Sequence, residues 1–169
     1  KDWHIRKGAE GKDVTTGFTF NRALIPDPNE LINNVHNRGI KIGLSVDLKD
    51  GFHAFEDHYA DLSAFLGLNG QGDIPIDVLN PKQLDGFLKY GLNPLEEQGI
   101  DFFWNDSKDL KDLKRLWVTN YYMFNNLARG QEKRGMLLAR NGLTAPHRFP
   151  VLYAGESRVG WDNFQSSSF

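Results

Sequence analysis

The stretch Ile100-Asp101-Phe102-Phe103-Trp104-Asn105-Asp106 decides the fold. It follows Gly99, a residue type that often ends helices, and it is mostly apolar before it closes on the carboxylate of Asp106. This pattern is typical of a buried parallel strand that carries a catalytic acid at its C-terminal end. An Asp directly after a strand is also a common turn former or helix N-cap, so spacing alone leaves both interpretations open.

A helix followed by a strand also occurs earlier in the chain. Asp27 is the predicted N-cap of a helix whose first turn contains Pro28, and Gly39 is predicted to end this helix in a left-handed conformation. The β-branched run 40–47 then predicts a strand that closes on Asp47.

Two segments of the N-terminal half are less regular. Residues 1–21 are polar and contain several glycines, which predicts a long loop that ends in a short edge strand at 17–21. Residues 48–79 form a long insertion with an aromatic run, and a short helix is predicted within it at 55–65. Ordered loops of such length are usually functional.

The second half continues the alternation of helices and strands. A helix is predicted at 80–98, with an interruption near 91–94, and another at 110–129 from the helical spacing of its apolar residues. Strands are predicted at 135–140 and at 150–156.

The order of elements predicts an α/β fold. Parallel strands joined by right-handed helical crossovers suit this order. The predicted strands end in charged residues, namely Asp47, Asp106, Arg140 and Glu156. In a (β/α)8 TIM barrel such strand ends gather on one face. Because a full barrel needs ~250 residues, the 169-residue chain is expected to be about half of a barrel, or a smaller open sheet.

Composition excludes several classes of function. The net charge is −2, from 20 basic and 22 acidic residues, so no nucleic-acid or anionic-membrane partner is expected. No apolar run approaches the ~20 residues of a membrane span. The chain has no cysteine, which excludes disulfides, thiolate metal sites and cysteine nucleophiles. No signal peptide is visible, which favours the cytoplasm over secretion, although a chain without cysteine fits any compartment.

Motifs for metals, phosphates and serine nucleophiles are also missing. The five histidines show no metal-binding spacing, and the glycine-rich segment 67–72 lacks the preceding strand and following Lys of a phosphate-binding loop. No Gly-x-Ser-x-Gly occurs. We therefore expect neither a metal nor an organic cofactor.

Two carboxylates at neighbouring strand ends, Asp106 and Glu156, match glycoside hydrolysis, in which one carboxylate attacks the sugar and the other protonates the leaving oxygen. Both could equally be solvated loop residues. Arg140 could hold a sugar hydroxyl, orient a carboxylate or form a structural salt bridge. His4 and His147, in flanking loops, are candidates for hydrogen bonds to a substrate.

Several segments occur in a specific order: Asp2-Trp3-His4, Gly17-Phe18-Thr19-Phe20-Asn21, Pro26-Asp27-Pro28, Asp50-Gly51, Ile74-Pro75-Ile76-Asp77, Phe103-Trp104-Asn105-Asp106, Ala139-Arg140, and Gly155-Glu156 through Trp161. In this order they resemble the catalytic domain of glycoside hydrolase family 31, the retaining α-glucosidase/α-xylosidase family. The resemblance runs over nearly the whole chain. It implies a (β/α)8 barrel and residues 1–169 as a fragment of that domain.

The resemblance assigns roles to individual residues. The family's nucleophile closes a Trp-x-Asp strand, which corresponds to Asp106. Its acid/base is an Asp in a Gly-Asp-Asn or Gly-Asp-Thr segment, and Glu156 occupies that position here. Arg140 and Asp2 match residues that hold sugar hydroxyls.

Three tryptophans, Trp3, Trp104 and Trp161, are expected to line the pocket, although Trp104 could as well belong to the core. The expected partners are an oligosaccharide or another α-glycoside, and the rest of the barrel on a longer chain, without which this fragment is not expected to be active.

Two departures from the family pattern keep alternatives open. Glu156 is one methylene longer than Asp, and Asn105 is polar where an apolar residue is common. A catalytically degenerate carbohydrate-binding or scaffold relative is therefore the alternative function. An unrelated small α/β domain is a third interpretation.

Overall fold

The chain folds around a four-stranded parallel sheet with helices on one side. The computed structural model describes residues 3–4, 6–7, 13–14, 17–107, 112–130, 134–140, 148–149, 151–153 and 159–166. In chain order the elements are β1 (Arg6–Lys7), β2 (Asp13–Val14), α1 (Pro28–His36), β3 (Gly43–Val46), α2 (Tyr59–Leu66), α3 (Pro81–Gly86), a π-helical segment (Phe87–Leu92), α4 (Asn93–Glu97), β4 (Phe102–Asn105), α5 (Leu113–Leu127), β5 (Leu137–Arg140), β6 (Val151–Tyr153) and α6 (Trp161–Ser166).

The sheet strands pair in the order in which they occur, β3-β4-β5-β6, and every pair is parallel. Parallel strands that add one after another along the sheet are the arrangement of a (β/α) barrel. The prediction of a partial (β/α)8 barrel is therefore confirmed.

Side chains along each strand alternate between two faces of the sheet. In β4, Phe103 and Asn105 are buried under the helices, whereas Trp104 points to the opposite face and is only half-buried. In β5, Leu137 and Ala139 are likewise fully buried. In a barrel the face opposite the helices is the interior, so Trp104 lies on the interior face.

The predicted ends of α1 are confirmed. Asp27 caps α1, because its Oδ1 accepts a hydrogen bond from the backbone N–H of Glu30 at 3.0 Å. Gly39 has a φ of +70°, which glycine adopts without steric cost. Asp112 was not predicted as a cap, but it caps α5 by accepting from the N–H of Lys114 at 2.9 Å, so this helix starts at Leu113 and not at 110.

The predicted insertion at 48–79 packs into the core. Phe52 and Ile74 form an antiparallel bridge with two backbone hydrogen bonds of 2.8 Å, which closes the segment at its base. The side chains of Phe52, Ile74 and Leu62 from α2 are almost fully buried, with 1%, 3% and 0% exposure. The predicted short helix at 55–65 is present as α2, which starts four residues later and ends one residue later than expected.

Two predictions of secondary structure are wrong. Residues 17–20 are a bend, not a strand, because Glu56 Oε2 accepts the N–H of Phe18 and the following chain is tied to Trp3. The helix at 80–98 is not interrupted near 91–94: α3, the π-helical segment and α4 are continuous. Pro94 comes two residues after the end of the π-helical segment, so its missing N–H removes one donor from within this continuous helix.

The β1-β2 hairpin and α6 were not predicted. Each of the two hairpin strands has two residues, and α6 has six, so neither carries a readable hydrophobic period.

Candidate active site

The ends of β4 and β5 bring Asp106 and Arg140 together. Asn105 lies opposite Ala139 in the parallel ladder, so the next residue on each strand is also a neighbour. Arg140 Nε lies 2.9 Å from Asp106 Oδ1, and the two side chains are 14% and 13% exposed. The two atoms form an ion pair that is not aligned as a hydrogen bond. The sheet therefore places a carboxylate and a guanidinium side by side at its C-terminal edge.

Two aromatic rings border this pair. Trp104 is on the same face as Asp106, and its ring lies 5.1 Å from that of Tyr153 at an angle of 50°. The guanidinium carbon of Arg140 lies 4.8 Å from the centre of the Tyr153 ring, which is within the range of a cation–π contact. Trp104 Nε1 is buried and has no hydrogen-bond acceptor among the residues that the structure describes.

The other predicted site residues are not joined to this pair in the described structure. Trp3 belongs to the core, with 4% exposure, and its Nε1 donates to the carbonyl of Ser45 on β3 at 2.9 Å. Trp161 is 84% exposed at the start of α6, with its ring against Phe164.

Three predicted site residues, Asp2, His147 and Glu156, lie outside the described residues. His4 is described and buried, with its ring edge-on to that of Trp3 at 5.0 Å.

Behind Asp106, a buried polar network joins β4 to α5. Asn105 Nδ2 donates to Asn120 Oδ1 at 2.7 Å, and Asn105 Oδ1 accepts the backbone N–H of Ser107 at 3.3 Å. Ser107 Oγ in turn accepts the N–H of Leu48 at 3.3 Å. The three polar residues Asn105, Ser107 and Asn120 are 1%, 2% and 3% exposed.

Sequence reasoning missed Tyr153 and the Asn105–Asn120 pair. Tyr153 could have been found, because in β6 it occupies the position that pairs with Arg140. The Asn105–Asn120 contact had no readable signal, since it joins a strand to a helix across 15 residues.

Two carboxyl groups elsewhere have perturbed pKa values. Burial raises the pKa of Asp101, but the N–H of Ile42 together with Lys41 and His36 outweighs it, so the pKa is lowered. Asp101 precedes β4, at the opposite end of the strand from Asp106.

The pKa of Asp77 is also lowered. The main cause is the hydrogen bond from the N–H of Leu79; desolvation opposes it, and Arg115 reinforces it.

A cleft of about 220 Å³ lies elsewhere, lined by residues that include Phe18, Arg22, Asp57 and Leu95. None of the predicted site residues lines it. Strand ends carry the chemistry of (β/α) barrels, so we place the candidate site at Asp106 and not in this cleft.

The described part of the chain holds neither a metal-binding cluster nor a membrane-spanning helix. Within it, no three histidine or carboxylate side chains are grouped so that they could hold a metal ion. None of its helices has the length and apolar character needed to cross a membrane.

Comparison with known proteins identifies the family. A search of curated proteins found no match. The family model described as "Glycosyl hydrolases family 31 TIM-barrel domain" matches residues 2–168. This agrees with the sequential parallel sheet. The chain therefore belongs to glycosyl hydrolase family 31, as its TIM-barrel domain.

Proposed function

We propose that this chain is the central part of the catalytic domain of a retaining α-glycosidase that acts on α-glucosides or related α-linked sugars. The observation that carries the proposal is Asp106, at the end of β4 on the interior face, 2.9 Å from the permanent charge of Arg140. Membership of a glycoside hydrolase family supports the reaction class.

The proposed mechanism is a double displacement. Asp106 attacks the anomeric carbon as the glycosidic bond breaks, and Glu156 gives its proton to the departing oxygen. Glu156 then takes a proton from water, which attacks the same carbon and releases the sugar from Asp106. Two inversions retain the configuration. This mechanism requires the two carboxyl groups to lie roughly 5–5.5 Å apart, against ~6.5–9.5 Å for an inverting pair.

The neighbouring side chains would bind the sugar. Arg140 carries planar donors that suit hydroxyl groups and a carboxylate at once. Trp104 offers an apolar ring face and a buried N–H that has no described acceptor. Asp2, His147 and Trp161 remain predicted substrate contacts. Trp3 was predicted as a fourth, but its side chain is buried in the core, so it would support the pocket without touching the sugar. No metal or organic cofactor is required by this chemistry.

Two further proposals concern the extent of the domain and the substrate partner. Residues 1–169 would be one part of the barrel, with 48–79 as an insertion, and the remaining strands would come from a longer chain. The substrate partner would be an oligosaccharide or another α-glycoside.

The alternative is a carbohydrate-binding or scaffold relative without turnover. The specific observation that favours it is Glu156, which places the acidic group one methylene further from the backbone than the family's Asp. This alternative predicts sugar binding with no covalent intermediate.

Covalent trapping tests the proposal. The intact protein is incubated with 5-fluoro-α-glycosyl fluorides of glucose, xylose and galactose, and the label is mapped by mass spectrometry after digestion. We expect a sugar on the peptide that contains Asp106, and no label in the Asp106→Asn variant. Binding of the sugars by calorimetry without any label would overturn the proposal and favour the degenerate relative.

A further inference from the structure

We infer that Asn105 is a positioning residue for Asp106, which it holds by an amide bridge between β4 and α5. The inference rests on the proposed function, because it concerns the alignment of the proposed nucleophile.

Asn105 acts from behind the site. Its side chain leaves β4 on the helix-facing side, opposite to Asp106, and it is 1% exposed. A sugar bound at Asp106 would lie on the interior face and would not touch it. Any effect of Asn105 on the reaction must therefore pass through the backbone of Asp106.

The backbone around Asp106 is held on both sides. The N–H of Asp106 donates to the carbonyl of Val46 on β3 at 2.9 Å. The next N–H, that of Ser107, donates to Asn105 Oδ1, which forms a side-chain turn that spans Asp106. Holding both N–H groups restricts the φ and ψ angles of Asp106 and therefore the direction of its carboxylate.

Asn120 fixes the bridge in turn. Its Oδ1 accepts the Nδ2–H of Asn105 at 2.7 Å. This hydrogen bond fixes the orientation of the Asn105 amide plane, so that Asn105 Oδ1 points towards the N–H of Ser107. Because α5 packs on β4 and β5, the turn at Asp106 is tied to the helix layer of the barrel. Ser107 Oγ extends the same tie to the loop after β3 through Leu48.

An apolar side chain at position 105 could not hold this turn. A leucine at 105 would remove the acceptor of the Ser107 N–H, and Ser107 is buried, with 2% exposure. A buried N–H without an acceptor is costly, so the turn would rearrange and Asp106 would move. A misplacement of about 1 Å at reacting atoms costs roughly 100-fold in rate.

The test measures the rate at which Asp106 is labelled in the intact protein, together with kcat and KM for aryl α-glycosides. We expect Asn105→Leu and Asn120→Leu to slow labelling and to lower kcat about 10- to 100-fold, with KM changed by less than about 3-fold. Asn120→Asp keeps an acceptor oxygen in either protonation state and should restore the rate to within a few-fold of wild type.

Thr119→Val is the matched control. Thr119 is fully buried on the same helix, and its Oγ1 donates to the carbonyl of Arg115 at 2.8 Å, a hydrogen bond that lies within α5. The variant removes a buried polar group of α5 and should leave the labelling rate unchanged.

The outcomes separate the inference from the proposed function. Wild-type protein without label would overturn the proposed function. Wild-type protein labelled at Asp106, with Asn105→Leu labelled equally fast or with the loss appearing only in KM, would overturn the positioning role. So would an equal loss in Thr119→Val. Should Asn105→Leu not fold, the comparison of Asn120→Leu with Asn120→Asp decides, since only the latter retains the acceptor.

Discussion

Arg140 contacts two described residues that differ in chemistry. Its guanidinium forms an ion pair with Asp106 and lies over the ring of Tyr153. The planar shape of the guanidinium allows both contacts at once, which an ammonium group on a flexible stem does not. Its geometry, as well as its charge, should therefore matter for activity.

Arg140→Lys tests the geometry at constant charge. We expect kcat/KM to fall about 10- to 100-fold, because hydrogen bonds to charged groups contribute roughly 1.5–3 kcal/mol and lysine cannot form the planar fork. The measurement is steady-state hydrolysis of an aryl α-glycoside. The exposed Arg38 supplies the control Arg38→Lys, which should behave as wild type. Full activity of Arg140→Lys would mean that only the charge is used.

Glu156→Gln separates proton transfer from nucleophilic attack. The variant cannot protonate a leaving oxygen, whereas fluoride departs without a proton. We therefore expect hydrolysis of unactivated α-glycosides to fall at least about 100-fold, while labelling of Asp106 by glycosyl fluorides continues at a similar rate. Equal losses with both kinds of substrate would remove Glu156 from the acid/base role.

The turn between α4 and β4 depends on Gly99. Its φ is +118°, and an added Cβ would lie 2.9 Å from Ile32 Cγ2 in α1. Gly39 also has a positive φ, but an added Cβ would meet nothing within 4 Å. Comparing alanine substitutions at the two glycines therefore distinguishes the cost of backbone strain from the cost of a steric clash with Ile32.

We predict that Gly99→Ala destabilises the protein by about 2–4 kcal/mol, from strain and overpacking together. Gly39→Ala should cost only about 1–2 kcal/mol, from strain alone. Urea unfolding measures both, with Gly130→Ala as a control, since Gly130 has neither feature. Equal losses for the first two variants would show that Ile32 moves aside easily.

At the other end of β4, Asp101 holds α1 to the sheet. Its Oδ2 lies 2.8 Å from His36 Nε2 and accepts the N–H of Ile42 at 2.9 Å, and its Oδ1 lies 2.9 Å from Lys41 Nζ. Burial raises the pKa of Asp101, but these contacts outweigh it and lower the pKa from the ordinary value of an aspartate. A carboxyl whose folded pKa is lowered stabilises the fold above the unfolded value, and the benefit is lost as pH falls through the folded pKa.

Asp101→Asn should therefore cost about 1–3 kcal/mol at pH 7, and the difference from wild type should shrink as the pH falls below about 4. Urea unfolding at several pH values measures this. A difference that stays constant down to pH 2 would show that the charge of Asp101 contributes nothing.

Local signals predicted most of the sheet and the helix ends. Asp27, Gly39 and Gly99 act through contacts within a few residues, so their effect is readable in sequence. The strand-end rule also brought Asp106 and Arg140 to one edge. The bend at 17–20 was not readable, because it depends on Glu56, which lies 38 residues from Phe18.

The described part of the barrel has a strand with one unpaired side at each edge of its sheet. Among the described residues, β3 and β6 each have a strand on one side only, and Val151 and Leu152 of β6 are 37% and 44% exposed. Unpaired strands with apolar side chains promote association between chains. This supports the proposal that further strands of the barrel cover these edges.

We therefore predict that residues 1–169 expressed alone aggregate or bind a hydrophobic dye, whereas the intact protein does neither. Size-exclusion chromatography and dye fluorescence measure this. A monomer that unfolds in one cooperative transition would instead indicate a self-sufficient domain.

The strand order also bears on synthesis at the ribosome. Each strand pairs with the one that leaves the exit tunnel just before it, so β4 can dock on β3, and β5 on β4, without waiting for distant parts of the chain. The neighbours Asp106 and Arg140 can meet as soon as β5 emerges. Slowed translation after β5 should then leave a nascent chain in which this corner of the barrel is already assembled.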